Sequence, residues 1–122
     1  MMTTIPREPR CQRGDIALVL FPDSNLRTAK LRPVLVVQAD DLGTGLPQLI
    51  VAMITGNLLR AGHPSRVKVL LASAEGRRSG LLDDSVVMTD NLATISDSEI
   101  DRVVGSLSMT EVEEARRHTL AL

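Results

Sequence analysis

Aromatic side chains are all but absent from this chain: Phe21 stands alone, with no tryptophan and no tyrosine. Proteins that hold single strands of nucleic acid without sequence preference stack the bases on several rings, and that mode is closed here. Any grip on a polynucleotide must come from hydrogen bonds, arginine planes and shape. Cysteine is as scarce. Cys11 is the only one, which excludes an internal disulfide framework and a cysteine-rich metal site. It is expected as an exposed thiol at the edge of the ordered domain. No apolar run approaches the ~20 residues that span a bilayer. The first residues, with Arg7, Glu8, Pro9 and Arg10 after Ile5 and Pro6, carry no signal-peptide core, so a cytoplasmic location is expected. A glycine-rich phosphate loop, a His-Glu-x-x-His helix and a nucleophile elbow are also missing. So is any carboxylate cluster or His/Cys set suited to magnesium or zinc; no metal and no cofactor are expected.

What is present fits one compact unit. With 122 residues the chain can bury a core but not two, and its 43% hydrophobic content is ordinary for a globular protein. Residues 1–11, with Pro6 and Pro9, read as a flexible N-terminal arm, and 12–122 as a single domain. Net charge is −1, so the whole molecule does not attract polyanions. Its distribution is uneven: basic residues outnumber acidic ones from Arg7 to Arg32, and acidic ones dominate from Asp83 to Glu114. A basic first half can still form a local phosphate-binding groove.

Short strands separated by turn chemistry run through the chain. Asp15 to Phe21 is a nearly continuous apolar run, as expected of a strand buried on both faces. Pro22-Asp23-Ser24-Asn25 opens a loop that ends near Lys30. Arg32 to Gln38 is a valine-rich strand with Pro33 tolerated at its start, and Leu49 to Ile54 is a third. The stretch 56–64 reads as a loop with one helical turn, and 66–70 alternates like a half-exposed strand. Glu75 to Gly80 reads as a turn-rich link, Ser85 to Met88 as a short strand, and Ile100 to Leu107 as the last strand. Ser96-Asp97-Ser98-Glu99 and Ser108-Met109-Thr110-Glu111 both have capping-box spacing. The second is expected to open a C-terminal helix whose acidic first turn and basic end suit its dipole. Many short strands with little helix point to a compact β-barrel.

Six fragments then fall into one order and spacing. They are Arg13-Gly14-Asp15-Ile16 leading to Lys30-Leu31-Arg32-Pro33-Val34, and Ile50-Val51-Ala52-Met53-Ile54-Thr55. Ser79-Gly80-Leu81-Leu82 with Ser85-Val86-Val87 follows, then Asp90-Asn91-Leu92-Ala93-Thr94-Ile95, and Gly105-Ser106-Leu107-Ser108 with a last helical segment. Together they resemble the MazF/PemK toxins of type II toxin–antitoxin systems, closest to the PemK-like subgroup in which Phe-Pro leads to a basic residue before Arg-Pro. The resemblance implies an SH3-like barrel of the PemK/MazF/CcdB type with a C-terminal α-helix and short helical turns. It further implies a homodimer that cleaves single-stranded RNA at specific sequences, leaves 2′,3′-cyclic phosphate and 5′-OH ends, and arrests growth. A cognate antitoxin neutralises such a toxin and binds DNA with it. Two alternatives remain open: a gyrase-type toxin that binds protein, and a catalytically degenerate binding module.

By the same resemblance Arg32, Thr55 and Asp90 stand at catalytic positions. A guanidinium forks onto two phosphate oxygens, which makes Arg32 a good clamp and a poor base. The Thr55 hydroxyl can donate to a phosphate oxygen. Asp90 falls where one branch of the family has Arg-x-Asp, but here the run is Met88-Thr89-Asp90, so proton transfer and turn capping both remain open for it. His63, in a Gly/Pro-rich loop, has the ring for proton exchange near neutral pH; His118 reads as structural. Asn25, Arg27 and Lys30, in the loop before Arg32, are RNA-binding candidates together with Arg60, His63 and Arg66.

Overall fold

The computed structural model describes residues 11–40 and 42–121. Six strands form one antiparallel sheet: β1 (Asp15–Pro22), β2 (Ala29–Val36), β3 (Gln48–Thr55), β4 (Arg66–Val69), β5 (Ser85–Ser96) and β6 (Ile100–Ser106). Their order is β4-β5-β3-β2-β1-β6. Helix α1 (Ala74–Ser79) joins β4 to β5, and α2 (Thr110–Leu120) follows β6. Single 3₁₀ turns lie at Leu58–Arg60 and Asp97–Glu99. This is the expected SH3-like barrel type, mainly β with a C-terminal helix.

Strand alternation sorts the apolar residues onto two faces. Ala17 and Val19 of β1, Val34 and Val36 of β2, Val51 of β3 and Ile95 of β5 build one cluster. Ile16, Leu35, Ala52, Ile54 and Val87 point the other way and meet Leu107 and Val112 beneath α2. Leu35, Val34, Val36 and Val51 are fully buried or nearly so, and each such side chain contributes roughly 1.5–3 kcal/mol. Pro33 causes no conflict. Pairing of β2 with β3 begins only at Val34, so the proline lies where β2 has no β3 partner.

The Arg-Gly-Asp run acts as a clasp. Gly14 holds φ +94°, a left-handed value that glycine adopts without strain. Its N–H donates to Val36 and its carbonyl accepts from Leu107. Arg13 pairs with Glu113 of α2, and the Asp15 carboxylate accepts from the Gln12 N–H at 2.8 Å. The start of β1 is thereby fastened to β2, β6 and α2 together.

Several sequence expectations require correction. The predicted arm lies outside the described residues except for Cys11, which is buried in the first cluster rather than exposed, because the chain ahead of β1 already packs on the sheet. β2 starts at Ala29, three residues before the predicted Arg32, since 29–33 pair with β1 across the hairpin. The link 75–80 contains helix α1, started by the Ser73 hydroxyl accepting from the Gly76 N–H at 3.0 Å and ended by Gly80 at φ +72°. β5 runs eight residues past Met88 to Ser96. The capping box at Ser96 is present, but the one at Ser108 is not. α2 has Met109 at its N-cap with no side-chain cap, because the Ser108 N–H is held by the Glu75 carboxylate at 2.9 Å.

Candidate active site

Arg32 and Thr55 come together through strand alternation alone. Arg32 precedes Val34 by two residues on β2, and Thr55 follows Val51 and Met53 by even steps on β3, so both lie on the face that carries the first core cluster. Where that cluster runs out, the face opens into a groove of about 310 Å³ lined by Phe21, Pro22, Arg32, Met53, Ile54, Thr55, Met88 and Asn91. Phe21, Met53 and Met88 form an apolar floor; Arg32, Thr55 and Asn91 supply the polar groups.

The Arg32 side chain is 49% exposed, and its nearest carboxylate oxygen, on Asp23, is 3.7 Å away. At that separation the fork donates to no acceptor among the described residues and is open to an anion. The Thr55 hydroxyl accepts from the Asn57 N–H at 3.1 Å. An accepted bond fixes the oxygen and leaves its own proton to donate. A charged fork and an oriented hydroxyl above an apolar floor suit a phosphodiester with a base beside it.

β5 brings the third candidate. Met53 pairs with Met88 and the preceding Ala52 with Leu92, so Thr89, Asp90 and Asn91 bulge out of the ladder. The bulge aims Asn91 into the groove and Asp90 beside it. Asp90 does not line the groove; its carboxylate takes a forked contact from Arg66, with Nη2 at 2.7 Å and Nε at 3.3 Å. That hydrogen bond, opposed by burial and helped by the charges of Arg66 and His63, holds the Asp90 carboxyl below the usual carboxylate range. Arg66 is shifted upward by the same contact. Arg66 stands directly opposite Met88 across the β4–β5 ladder. The arginine that the Arg-x-Asp resemblance misses at position 88 is thus supplied from the neighbouring strand, and Asp90 has a cationic partner after all.

The RNA-binding candidates divide. Arg27 and Lys30 are exposed, and their side chains take no partner among the described residues. Asn25 shapes its own loop instead, its side-chain oxygen accepting from the N–H groups of Arg27 (2.9 Å) and Thr28 (3.2 Å). Arg66 is committed to Asp90 and to the Arg60 carbonyl, 3.0 Å away. The Arg60 side chain is left in solvent on its 3₁₀ turn. His63 accepts from the Ser65 N–H through Nδ1 at 3.0 Å, and its ring meets that of His118 edge to face at 6.0 Å. None of these six lines the groove. Asn91 does, and sequence reasoning passed over it. The available signal was the polar triplet Thr89-Asp90-Asn91 interrupting an otherwise apolar strand.

Among the described residues no three His, Cys, Asp or Glu side chains converge as a metal site, and no helix is long and apolar enough to cross a membrane.

Comparison with known proteins places this geometry. The family model for the PemK-like, MazF-like toxins of type II toxin–antitoxin systems matches residues 12–121. Endoribonuclease EndoA of Bacillus subtilis (strain 168) is 31% identical over 115 residues, covering 91% of this chain and 95% of that protein. The solved structure of Mycobacterium tuberculosis toxin MazF-mt6 superposes with a TM-score of 0.66 at 26% identity, covering 88% of this chain and 97% of that one. A mycobacterial endoribonuclease in complex with its cognate antitoxin gives a TM-score of 0.70 at 18% identity, covering 92% and 96%. A match across nearly the whole described chain, on the fold derived above, establishes that this protein belongs to the PemK-like, MazF-like toxin family of type II toxin–antitoxin systems.

Proposed function

We propose that this chain is a toxin endoribonuclease that cleaves single-stranded RNA without a metal ion and leaves 2′,3′-cyclic phosphate and 5′-OH ends. The observation that carries the reading is the meeting of the Arg32 guanidinium and the Thr55 hydroxyl, its oxygen held by the Asn57 N–H, in one groove. Such cleavage needs the 2′-hydroxyl to lose a proton, the phosphorane's added charge to be neutralised, and the 5′-oxygen to gain a proton as it leaves. Arg32 forks onto the non-bridging oxygens and carries most of the neutralisation. Thr55 donates to one of the same oxygens. The floor of Phe21, Met53 and Met88 receives an adjoining base and excludes water from the developing charge. Asp90, held ionised by Arg66, is a weak proton acceptor; it serves the site by fixing the rim through that ion pair.

The reading extends to partners. An acidic antitoxin segment that folds on binding crosses the surface near Arg27, Lys30 and Arg32, where it imitates the charge of RNA. Two copies of the chain join their half-grooves into one RNA channel. Action on messenger RNA places the protein in the cytoplasm. A gyrase-type, protein-binding toxin has no use for an arginine and a donor hydroxyl facing one groove. The test is cleavage of a single-stranded RNA by purified chain in EDTA, with end-group analysis. Cyclic phosphate and 5′-OH ends support the proposal. No cleavage by the folded protein, or cleavage only after a metal is restored, overturns it.

A further inference from the structure

The bulge that carries Asp90 and Asn91 is not held by the sheet, because its three residues have no ladder partners on β3. It is held by a cluster of hydroxyls beneath it. Thr89 is 2% exposed. Its N–H donates to the Ser65 carbonyl at 3.0 Å, and its hydroxyl donates to the same carbonyl at 2.7 Å. The Thr119 Oγ1, in the last turn of α2, lies 2.8 Å from the Thr89 Oγ1 and 2.6 Å from the Ser65 Oγ. It also lies 2.9 Å from the Ala115 carbonyl one turn back. Ser65 is itself buried; Arg66, next to it, grips Asp90, and the Ser65 N–H donates to His63 Nδ1. The end of the loop before β4, at Ser65, thus lies between the end of α2 and the underside of the bulge.

We propose that Thr119 is a positioning residue of the groove, acting through Thr89 and Ser65 to set where the bulge places Asn91 and Asp90 relative to Arg32 and Thr55. This deepens the nuclease reading and rests on it for its kinetic consequence. Hydroxyl bonds in this largely buried cluster, with Thr119 at its half-buried edge, are directional, whereas the apolar contacts of α2 through Val112 and Ala115 are not. The helix would stay docked without Thr119, but the bulge would lose the group that fixes one side of Thr89. Released from Thr119, the Ser65–Thr89 pair can shift as a unit, and the Thr89 backbone, bonded to the Ser65 carbonyl through its N–H, carries the two residues after it. The groove then responds to the last turn of α2 although no residue of that turn lines it.

The experiment uses the full chain with Thr119→Val, Thr119→Ser and, as a packing control, Val112→Ala. Valine keeps the volume of threonine and removes the hydroxyl; serine keeps the hydroxyl. Val112 is buried in the cluster under α2 and carries no hydrogen-bonding side-chain group, so its truncation loosens the helix without removing a hydroxyl of the relay. Two readouts are taken: kcat and KM on a short RNA, and the backbone amide resonances of Asp90 and Asn91. Thr119→Val should lower kcat about tenfold or more, since misplacement by ~1 Å can cost ~100-fold, with KM changed less than threefold. The two amides should shift, and Thr119→Ser should restore both rate and resonances. Val112→Ala should lower Tm while leaving kcat and the two amides in place. The inference is overturned if the two amides stay put in Thr119→Val. It is also overturned if kcat falls no further than in Val112→Ala, or if serine fails to rescue. Should the wild-type chain cleave no RNA, the functional reading fails, and the amide resonances alone then decide whether Thr119 positions the bulge.

Discussion

Replacing Arg32 with alanine separates chemistry from stability more cleanly than any other change in the groove. The side chain is half exposed, and its one ion-pair contact among the described residues, with Asp23, is long at 3.7 Å. A surface pair of that kind is worth at most ~1 kcal/mol, so the Tm should move by no more than ~4 °C. The loss in the transition state is much larger. A single preorganised donor facing a developing oxyanion is worth roughly 3 kcal/mol, and each ~1.4 kcal/mol is tenfold in rate, so kcat should fall about a hundredfold. Lysine restores a positive charge without the fork and should recover about a tenth of the wild-type rate. Asp23→Asn tests the other side of the same contact. Removing a competing carboxylate should leave the rate unchanged or slightly raised. The assay is single-turnover cleavage of a labelled single-stranded RNA, run beside a thermal melt of each variant. A folded Arg32→Ala protein that cleaves within about threefold of wild type would refute the assignment of Arg32 as the phosphate clamp.

Thr55→Val keeps the strand's β-branched shape and removes the donor, and should slow cleavage about tenfold, as expected for one neutral hydrogen bond of ~1.5 kcal/mol; a rate equal to wild type would leave the hydroxyl without a role. The Arg66 contact lowers the Asp90 carboxyl, so its contribution to stability is complete above the unfolded carboxylate value of ~4 and fades as pH falls through the lower folded value. In urea melts the gap between wild type and Asp90→Asn should therefore shrink on acidification below about pH 4, and a gap unchanged from neutral pH down to pH 2 would contradict the linkage. Reversing charge at Arg27 and Lys30 should slow association with an acidic antitoxin and flatten its salt dependence; an unchanged low-salt rate would place the docking surface elsewhere. Gly105 lies against the backbone of Ser79, where an added Cβ would collide. Gly105→Ala should cost roughly 1–3 kcal/mol by forcing α1 off β6, and an unmoved urea midpoint would show that the two elements part without cost.

Part of the candidate site was legible in the sequence through its resemblance to a known family, and the period of two in a strand is consistent with it. Arg32 and Thr55 were named from the resemblance to the MazF/PemK toxins, and alternation within each strand agrees with it: Arg32 is in phase with Val34 and Val36, and Thr55 with Val51 and Met53, while the β2–β3 pairing turns the two sets onto one face. Turn residues likewise marked the ends of β1 and the loop after Thr55, since glycine, proline and asparagine act through local backbone preference. The features that escaped depend on partners distant in sequence. Nothing near Cys11 announces that it is buried; the sheet that covers it is assembled from strands up to residue 100. Helix α1 is only six residues long, too short to show a hydrophobic period and stable only because it rests on β6. Asp90 looked deprived of its arginine because the replacement comes from Arg66, 24 residues earlier in the chain, and only the β4–β5 register brings the two together. The bulge at Thr89-Asp90-Asn91 is bonded from below by Ser65 and Thr119, both distant from it in the chain. The sequence by itself determined which residues face inward and where the strands begin to turn, because those are matters of local period and backbone freedom. Which strand lies beside which, and hence which arginine meets which carboxylate, was decided by tertiary packing, since register is chosen by the whole sheet at once.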